Sequence, residues 1–111
     1  INDADWQDAE NIKSVLSGSP YGCPVIFLSH RPETFDIAAN HDFNVIQLSG
    51  HTHSGQIPPV EIVTRFFMRY NYGLYKKNGS TMYVTSGAGV WGPPMRLFNI
   101  AEVAVIKLVK N

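Results

Sequence analysis

The chain has 111 residues, which is enough for one modest domain and too few for two. Nine basic and nine acidic residues cancel, so its charge indicates neither a nucleic-acid partner nor an acidic tail, and the low charged fraction of 16% suggests that something else covers part of the surface. The single cysteine, Cys23, excludes an internal disulfide framework and a cysteine-only zinc site, and it favours a reducing, cytoplasmic compartment.

The first half of the chain predicts a helix followed by a parallel β-α-β unit. DADWQDAENIKSVLSG has apolar residues at helical spacing and ends at a glycine. VIFLSH is a continuous apolar run, typical of a strand buried on both faces. RPETFDIAANHD predicts a short helix that begins near its proline, and FNVIQLSG predicts a second buried strand. Two strands on either side of a helix indicate a parallel pair.

The second half of the chain changes character. PPVEIVTRFFMRYNYG predicts a helix and then a loop, and LYKKNGSTMYVTSG predicts a hairpin with its turn at Asn78 and Gly79. EVAVIKLVK alternates like a strand with one exposed face. No run approaches the roughly 18 apolar residues of a membrane span, and the initial isoleucine is typical of a processed or truncated product. We therefore predict an α/β fold with a mixed sheet.

Histidines follow both strands of the predicted parallel pair. His30 ends the first strand, and His51 and His53 come directly after the second. Ligands gather beyond the carboxyl ends of parallel strands, so we expect these three side chains to converge. In an extended segment, residues i and i+2 point the same way about 7 Å apart, so this pair can address one metal ion or two neighbouring ions. The alternative is a polar loop or satisfied core histidines, and His41 is predicted to lie apart at a helix end.

Three segments carry a family resemblance. LSHRPETFD, LSGHTHSGQI and YVTSGAGVWGPPMRLFNIAEVAVI resemble, in order and spacing, the carboxyl-terminal half of calcineurin-like metallophosphoesterases, in their bacterial phosphodiesterase branch. The likeness covers about residues 20 to 110. It implies that residues 1–111 form a single partial domain, the carboxyl-terminal half of an α/β/β/α sandwich whose mixed β-sheet is flanked by helices. Ser54 departs from the pattern, because this branch usually has a glycine there.

The resemblance also implies a reaction. Family members are hydrolases that cleave phosphomonoesters or phosphodiesters with a metal-activated hydroxide, at a dinuclear centre of divalent Mn, Fe, Zn or Mg ions. By resemblance, His30 and His51 bind one ion and His53 binds the other. The family's aspartate, asparagine and general-acid motifs are absent from this chain. They are expected in a missing amino-terminal half, so no catalytic residue is assigned here.

Charge supports that expectation of a missing half. Three neutral imidazoles do not compensate the four positive charges of two divalent ions, which generally bind carboxylate oxygens as well. We therefore expect this chain alone to bind metal weakly and to be nearly inactive. The alternative function is a small binding or assembly module with one structural zinc ion or no metal.

Other residues have possible roles at the same site. Arg96 and Trp91 are candidates for substrate binding, against the alternatives of a structural arginine and a packed loop aromatic. Gln56 is a candidate to orient one of the histidines. The arginines and phenylalanines of VTRFFMRY fit a membrane surface, although core packing is the more ordinary interpretation. Half of a sandwich would also leave an apolar sheet face uncovered, which predicts self-association of the chain.

Overall fold

The computed structural model describes residues 6–20, 22–40, 44–55, 59, 62, 66–90, 92, 94–96 and 100–109. Its helices are α1 (Trp6–Ser17) and α2 (Phe35–Ala38), and a 3-10 turn at Pro32–Thr34 leads into α2. Its strands are β1 (Val25–Leu28), β2 (Val45–Ser49), β3 (Gly73–Lys77) and β4 (Ser80–Val84). A second 3-10 turn covers His53–Gly55. These elements confirm the predicted α/β class.

The four strands form one mixed sheet in the order β1-β2-β4-β3. β1 pairs with β2, and β2 with β4, in parallel, whereas β3 and β4 form an antiparallel hairpin. The hairpin turns at Asn78 and Gly79, both at positive φ (49° and 79°), as the tight turn between two twisted strands requires. The predicted parallel unit and the predicted hairpin are therefore both confirmed.

One face of the sheet packs against the helices. β2 and β4 alternate between buried and half-buried residues, so every second side chain points toward α1 and α2. The buried apolar residues form two clusters, one of Ile12, Leu16, Ala38 and Val45 and the other of Phe35, Ala39, Tyr70, Met82 and Val84. Phe35 is fully buried, and its truncation to alanine would cost about 3 to 5 kcal/mol. This core holds the strand ends in place.

The opposite face of the sheet, which we call the outer face, is partly uncovered. Ile26 and Leu28 of β1 are 51% and 73% exposed, and Leu74 of β3 is 62% exposed. The prediction that the first strand is buried on both faces is therefore wrong, because the helices cover only one side of the sheet. Half-buried Leu48 and Tyr83 lie between these strands on the same face.

Two other segments also differ from prediction. Residues 102–109, the described part of the predicted strand EVAVIKLVK, form no strand in this structure, and Val105 is 92% exposed. A strand needs a neighbour along its length for its backbone groups, and among the described residues this segment has one such contact, from the Glu102 N–H to the Gly87 carbonyl at 3.0 Å. Phe66 and Phe67 are helical but 82% and 83% exposed, so core packing of this pair is also wrong. None of the described helices is long and apolar enough to cross a membrane.

Candidate functional site

The carboxyl ends of three parallel strands are joined by backbone hydrogen bonds. Ser29 N–H donates to the carbonyl of Leu48, and Gly50 N–H donates to the carbonyl of His30 at 3.2 Å. The Thr85 N–H, after β4, donates to the carbonyl of Ser49 at 2.9 Å. The loops that follow β1, β2 and β4 therefore start from one rigid edge, where ligands of open α/β sheets usually bind.

The rings of His30 and His51 meet at this edge. His30 Nε2 lies 2.8 Å from His51 Nδ1, and the ring planes are nearly perpendicular, with centroids 4.7 Å apart. Two nitrogens bound to one divalent ion at about 2.1 Å each lie about 3 to 3.5 Å apart. The observed separation is a few tenths of an ångström shorter, so a small opening of the pair would admit an ion. The two side chains fit a shared ligand role.

The loop that carries His51 and His53 is turned, not extended. Thr52 N–H donates to the carbonyl of Gly50 at 2.9 Å, which closes a three-residue turn with His51 at its centre. The φ values of His51, His53 and Ser54 are 73°, 47° and 52°. The expectation of an extended i, i+2 pair is therefore wrong. Such left-handed residues cost about 1 to 3 kcal/mol each and concentrate at functional sites.

Thr52 fixes this strained loop to the rest of the sheet. Its buried hydroxyl donates to the carbonyl of Asn71 at 2.5 Å and accepts the backbone N–H of Ser54 at 3.3 Å. Asn71 is itself held by the hydroxyl of Tyr75, which accepts its N–H at 3.1 Å. The segment before β3 thus anchors the two-histidine loop through Thr52.

His53 is half-buried near the same two rings. Its Nδ1 is buried and has no hydrogen-bond partner. Burial lowers the pKa of the His53 imidazole below its ordinary value. The positive charge of Arg96, and those of His51 and His30 when protonated, act in the same direction. His53 therefore favours the neutral form, which is the form that binds metal ions.

The described residues do not by themselves complete a metal site. Among the residues described, no three His, Cys, Asp or Glu side chains meet closely enough to hold a metal ion. Asp36 is engaged elsewhere, since its carboxylate accepts hydrogen bonds from Lys77 and Tyr70. The described residues thus bring two imidazoles together and place a third nearby, and none of them adds the carboxylate that a divalent centre generally uses.

A buried polar cluster, formed by Gln47, Thr34 and Ser49, contacts the turn that carries His30. Gln47, in the middle of β2, is fully buried, and its amide donates to Thr34 Oγ1 at 3.0 Å and to Ser49 Oγ at 2.9 Å. Gln47 also lies within 3.4 Å of the Arg31 carbonyl. Gln47 is not among the predicted site residues. The only signal in the sequence is an amide inside the otherwise apolar run FNVIQL.

Of the two predicted substrate-binding residues, the structure describes Arg96 but not Trp91. Arg96 donates to the backbone carbonyls of Ser86 and Gly87 at 3.1 and 3.0 Å, and also to that of Gly89. The guanidinium therefore braces the glycine-rich loop in this structure, although its charge is near enough to act on His53. Trp91, Gln56 and His41 lie outside the described residues.

Several known proteins are similar to this chain in sequence. The chain is 38% identical over 103 residues to a protein of Helicobacter pylori named an uncharacterized metallophosphoesterase, covering 91% of this chain and 28% of the relative. It is 40% identical over 84 residues to a similarly named protein of Campylobacter jejuni, covering 75% of this chain and 22% of that protein. It is 36% identical over 101 residues to a Danio rerio protein named a transmembrane protein with metallophosphoesterase domain, covering 88% and 23%.

The chain thus spans about a quarter of the length of these curated relatives. No family model matches the chain, and no solved structure does so either.

Proposed function

Because this chain belongs to the metallophosphoesterase family, we propose that it supplies the histidine ligands of a metal centre that hydrolyses phosphomonoesters or phosphodiesters. The observation that carries the proposal is the 2.8 Å approach of His30 Nε2 to His51 Nδ1 at the joined ends of two parallel strands. The sequence resemblance supports the calcineurin-like bacterial phosphodiesterase branch as part of this proposal.

Two divalent ions are the cofactors in this proposal. His30 and His51 would hold one ion and His53 the other, and the ions would supply Lewis-acid activation of the phosphoryl group and of a water molecule. The chain's own residues present neutral imidazoles at a rigid edge. Thr52 and the turn at His51 hold the second ring in place, and the lowered pKa of His53 keeps that imidazole free of a competing proton.

The proposal also assigns what this chain lacks. The bridging carboxylate and the general acid come from the amino-terminal half of the same domain, outside this sequence. The absence of a three-ligand cluster among the described residues supports this division. By this account the chain alone binds metal weakly and turns over little substrate. A module with a single structural zinc ion would instead close its site with residues of this chain.

The test uses a whole protein that contains this sequence. An aryl phosphodiester assay with Mn²⁺ should lose at least about 100-fold of its rate on His51→Ala, since even the groups that support metal ligands are worth 10- to 100-fold. Metal analysis of the purified protein should give two ions per chain, where the zinc-module alternative predicts one or none. The matched control is His41→Ala, at the one other histidine of the sequence.

A contrary result is easy to recognise. If His51→Ala retains rate and metal content like His41→Ala, then the ligand assignment is wrong. If both ions stay bound but no phosphoester is cleaved under any metal, the site holds metal for another purpose.

We also propose that the intact protein touches a membrane surface through its exposed phenylalanine pair. Phe66 and Phe67 are more than four-fifths exposed, and Ile62 nearby in the chain is 58% exposed. Residues 62–77 contain four basic and no acidic residues. Arg69 and Lys77 pair with Asp36. The other two, Arg65 and Lys76, complement anionic lipid headgroups. Two relatives are named transmembrane proteins with a metallophosphoesterase domain, which supports a membrane setting.

A further inference from the structure

We infer that Gln47 is a positioning residue, which holds His30 against His51 by fixing the backbone on either side of His30. The inference rests on the proposed function only in taking this histidine pair as metal ligands. Gln47 lies on the helix-facing side of β2, between Phe27 of β1 and Met82 of β4. Its side chain is fully buried there. An amide in such a place is unfavourable unless it is hydrogen-bonded, so its contacts are informative.

Those contacts converge on the turn that carries His30. The carbonyl of Arg31 accepts from the hydroxyl of Ser29 at 3.0 Å and lies 2.8 Å from Thr34 Oγ1. Gln47 Nε2 reaches the same carbonyl at 3.4 Å and Thr34 Oγ1 at 3.0 Å. The residues before and after His30 are thereby tied to the middle of β2, and not only to its end.

The ring of His30 depends on this backbone support. The residue is exposed, so side-chain packing constrains its ring little. Its own carbonyl accepts from Gly50 N–H, which links it to the residue preceding His51. With one link from Gly50 and a second from the Gln47 cluster, the backbone of His30 cannot shift along the edge without breaking a buried hydrogen bond.

Stability alone does not explain why Gln47 is buried in this cluster. Gln47 Oε1 is buried and has no hydrogen-bond partner, although the amide nitrogen has three acceptors within reach. An apolar side chain of similar shape would remove this unpaired oxygen. Gln47 is unfavourable for the core, yet it supports the turn that carries His30. This combination fits a role in positioning His30.

The experiment measures placement directly, on this chain. The probe is Cu²⁺–iminodiacetate, whose open positions are filled by two imidazoles and need no carboxylate. Spin-echo spectra count the bound imidazoles, and titration gives the dissociation constant. The wild-type chain should bind through two imidazoles, and His30→Ala should show only one.

Gln47→Met keeps the shape of the side chain and removes the hydrogen bonds. We expect the two-imidazole dissociation constant to rise about 10-fold or more. The thermal midpoint should change little, because the substitution takes the donor from Ser49 Oγ but also removes the unpaired Gln47 oxygen. The matched control is Met82→Leu, at the paired position of β4, which alters the same part of the core without touching the cluster. That variant should bind the probe like the wild type.

Two-imidazole binding by Gln47→Met within twofold of the wild type would overturn the inference. Should Gln47→Met fail to fold by circular dichroism, the pair Thr34→Val and Thr34→Ser decides instead. The valine should weaken two-imidazole binding and the serine, which keeps the hydroxyl, should restore it; equal binding by both again overturns the role. Phosphoesterase activity of the whole protein is not used, so this inference can fail while the proposed function stands.

Discussion

At the scale of single residues, His51 has the least favourable backbone of the site. Its φ of 73° lies at the centre of the turn closed by Gly50 and Thr52, a conformation that glycine adopts freely and histidine only at a cost. The same turn directs its ring onto His30. The energetic cost and the position of the His51 ring therefore come from one backbone conformation, and a substitution can separate them.

We expect His51→Gly to be more stable than His51→Ala by about 1 kcal/mol, because only glycine relaxes at positive φ. Both variants should lose two-imidazole binding equally. Urea unfolding of the two variants measures the difference. The matched control is the same pair at Ser14 on the exposed side of α1, where alanine should exceed glycine by about 1 kcal/mol. Equal stability of the two residue-51 variants would mean that the turn is not strained.

At the scale of elements, one carboxylate links α2 to β3. Asp36 Oδ1 accepts from Lys77 at 2.6 Å and from the Tyr70 hydroxyl at 2.9 Å, and Oδ2 accepts from Arg69 at 3.0 Å. Burial alone would raise the pKa of Asp36, but the hydrogen bonds from Lys77 and Tyr70 outweigh it and lower the pKa. The helix after the His30 turn is thus tied to the edge hairpin by charge as well as by apolar contact.

The sign of this shift predicts how stability depends on pH. A carboxylate with a lowered folded pKa contributes fully above its unfolded value of 3.8, and the contribution is lost as pH falls through the folded pKa. Asp36→Asn should therefore cost about 1 kcal/mol of unfolding free energy at pH 7 and nothing at strongly acid pH. Urea unfolding at several pH values checks this. A pH-independent loss in Asp36→Asn would contradict the ionic link.

A second carboxylate fixes the segment after the glycine-rich loop. Glu102 accepts hydrogen bonds from the hydroxyls of Tyr72, at 2.6 Å, and Tyr83. These two hydrogen bonds lower the pKa of Glu102, although burial opposes them. The backbone N–H of Glu102 also donates to the carbonyl of Gly87, in the loop that Arg96 braces. Glu102 therefore connects this loop to the tyrosines beside the outer face of the sheet.

At the scale of the whole molecule, the exposed apolar surface decides how the chain meets its surroundings. Phe66→Ser with Phe67→Ser should reduce sedimentation with vesicles of phosphatidylcholine containing about a third phosphatidylserine by 10-fold or more, because inserting two phenylalanines is worth several kcal/mol. The control is Ile100→Ser, which removes an equally exposed apolar residue (85%) outside the phenylalanine segment.

Light scattering without lipid distinguishes self-association through the outer face from membrane binding through the phenylalanine pair. The uncovered outer face, with Leu28 and Leu74, supports the prediction that the chain self-associates, and this should persist in the double phenylalanine variant. If vesicle binding is absent and the double variant instead becomes monomeric, the phenylalanine pair is a protein contact and the membrane proposal fails.

Local pattern by itself determined the α/β class, the parallel pair, the hairpin at Asn78 and Gly79, and the strand-end positions of His30 and His51. These features depend on periodicity, turn residues and chain order, which are local properties of a sequence. The family resemblance rests on the same strand-end motifs.

Only the tertiary structure decided which faces are covered and how the ligands are held. Residues 102–109 have the alternation of a strand but pair with no strand among the described residues, and β1 is apolar on both sides although helices cover one. The left-handed turn at His51 and the reach of Gln47 to the Arg31 carbonyl depend on contacts between elements distant in the chain. The local sequence pattern indicates whether a segment prefers helix, strand or turn. Burial, strain and hydrogen-bond partners depend instead on which other parts of the fold lie beside the segment.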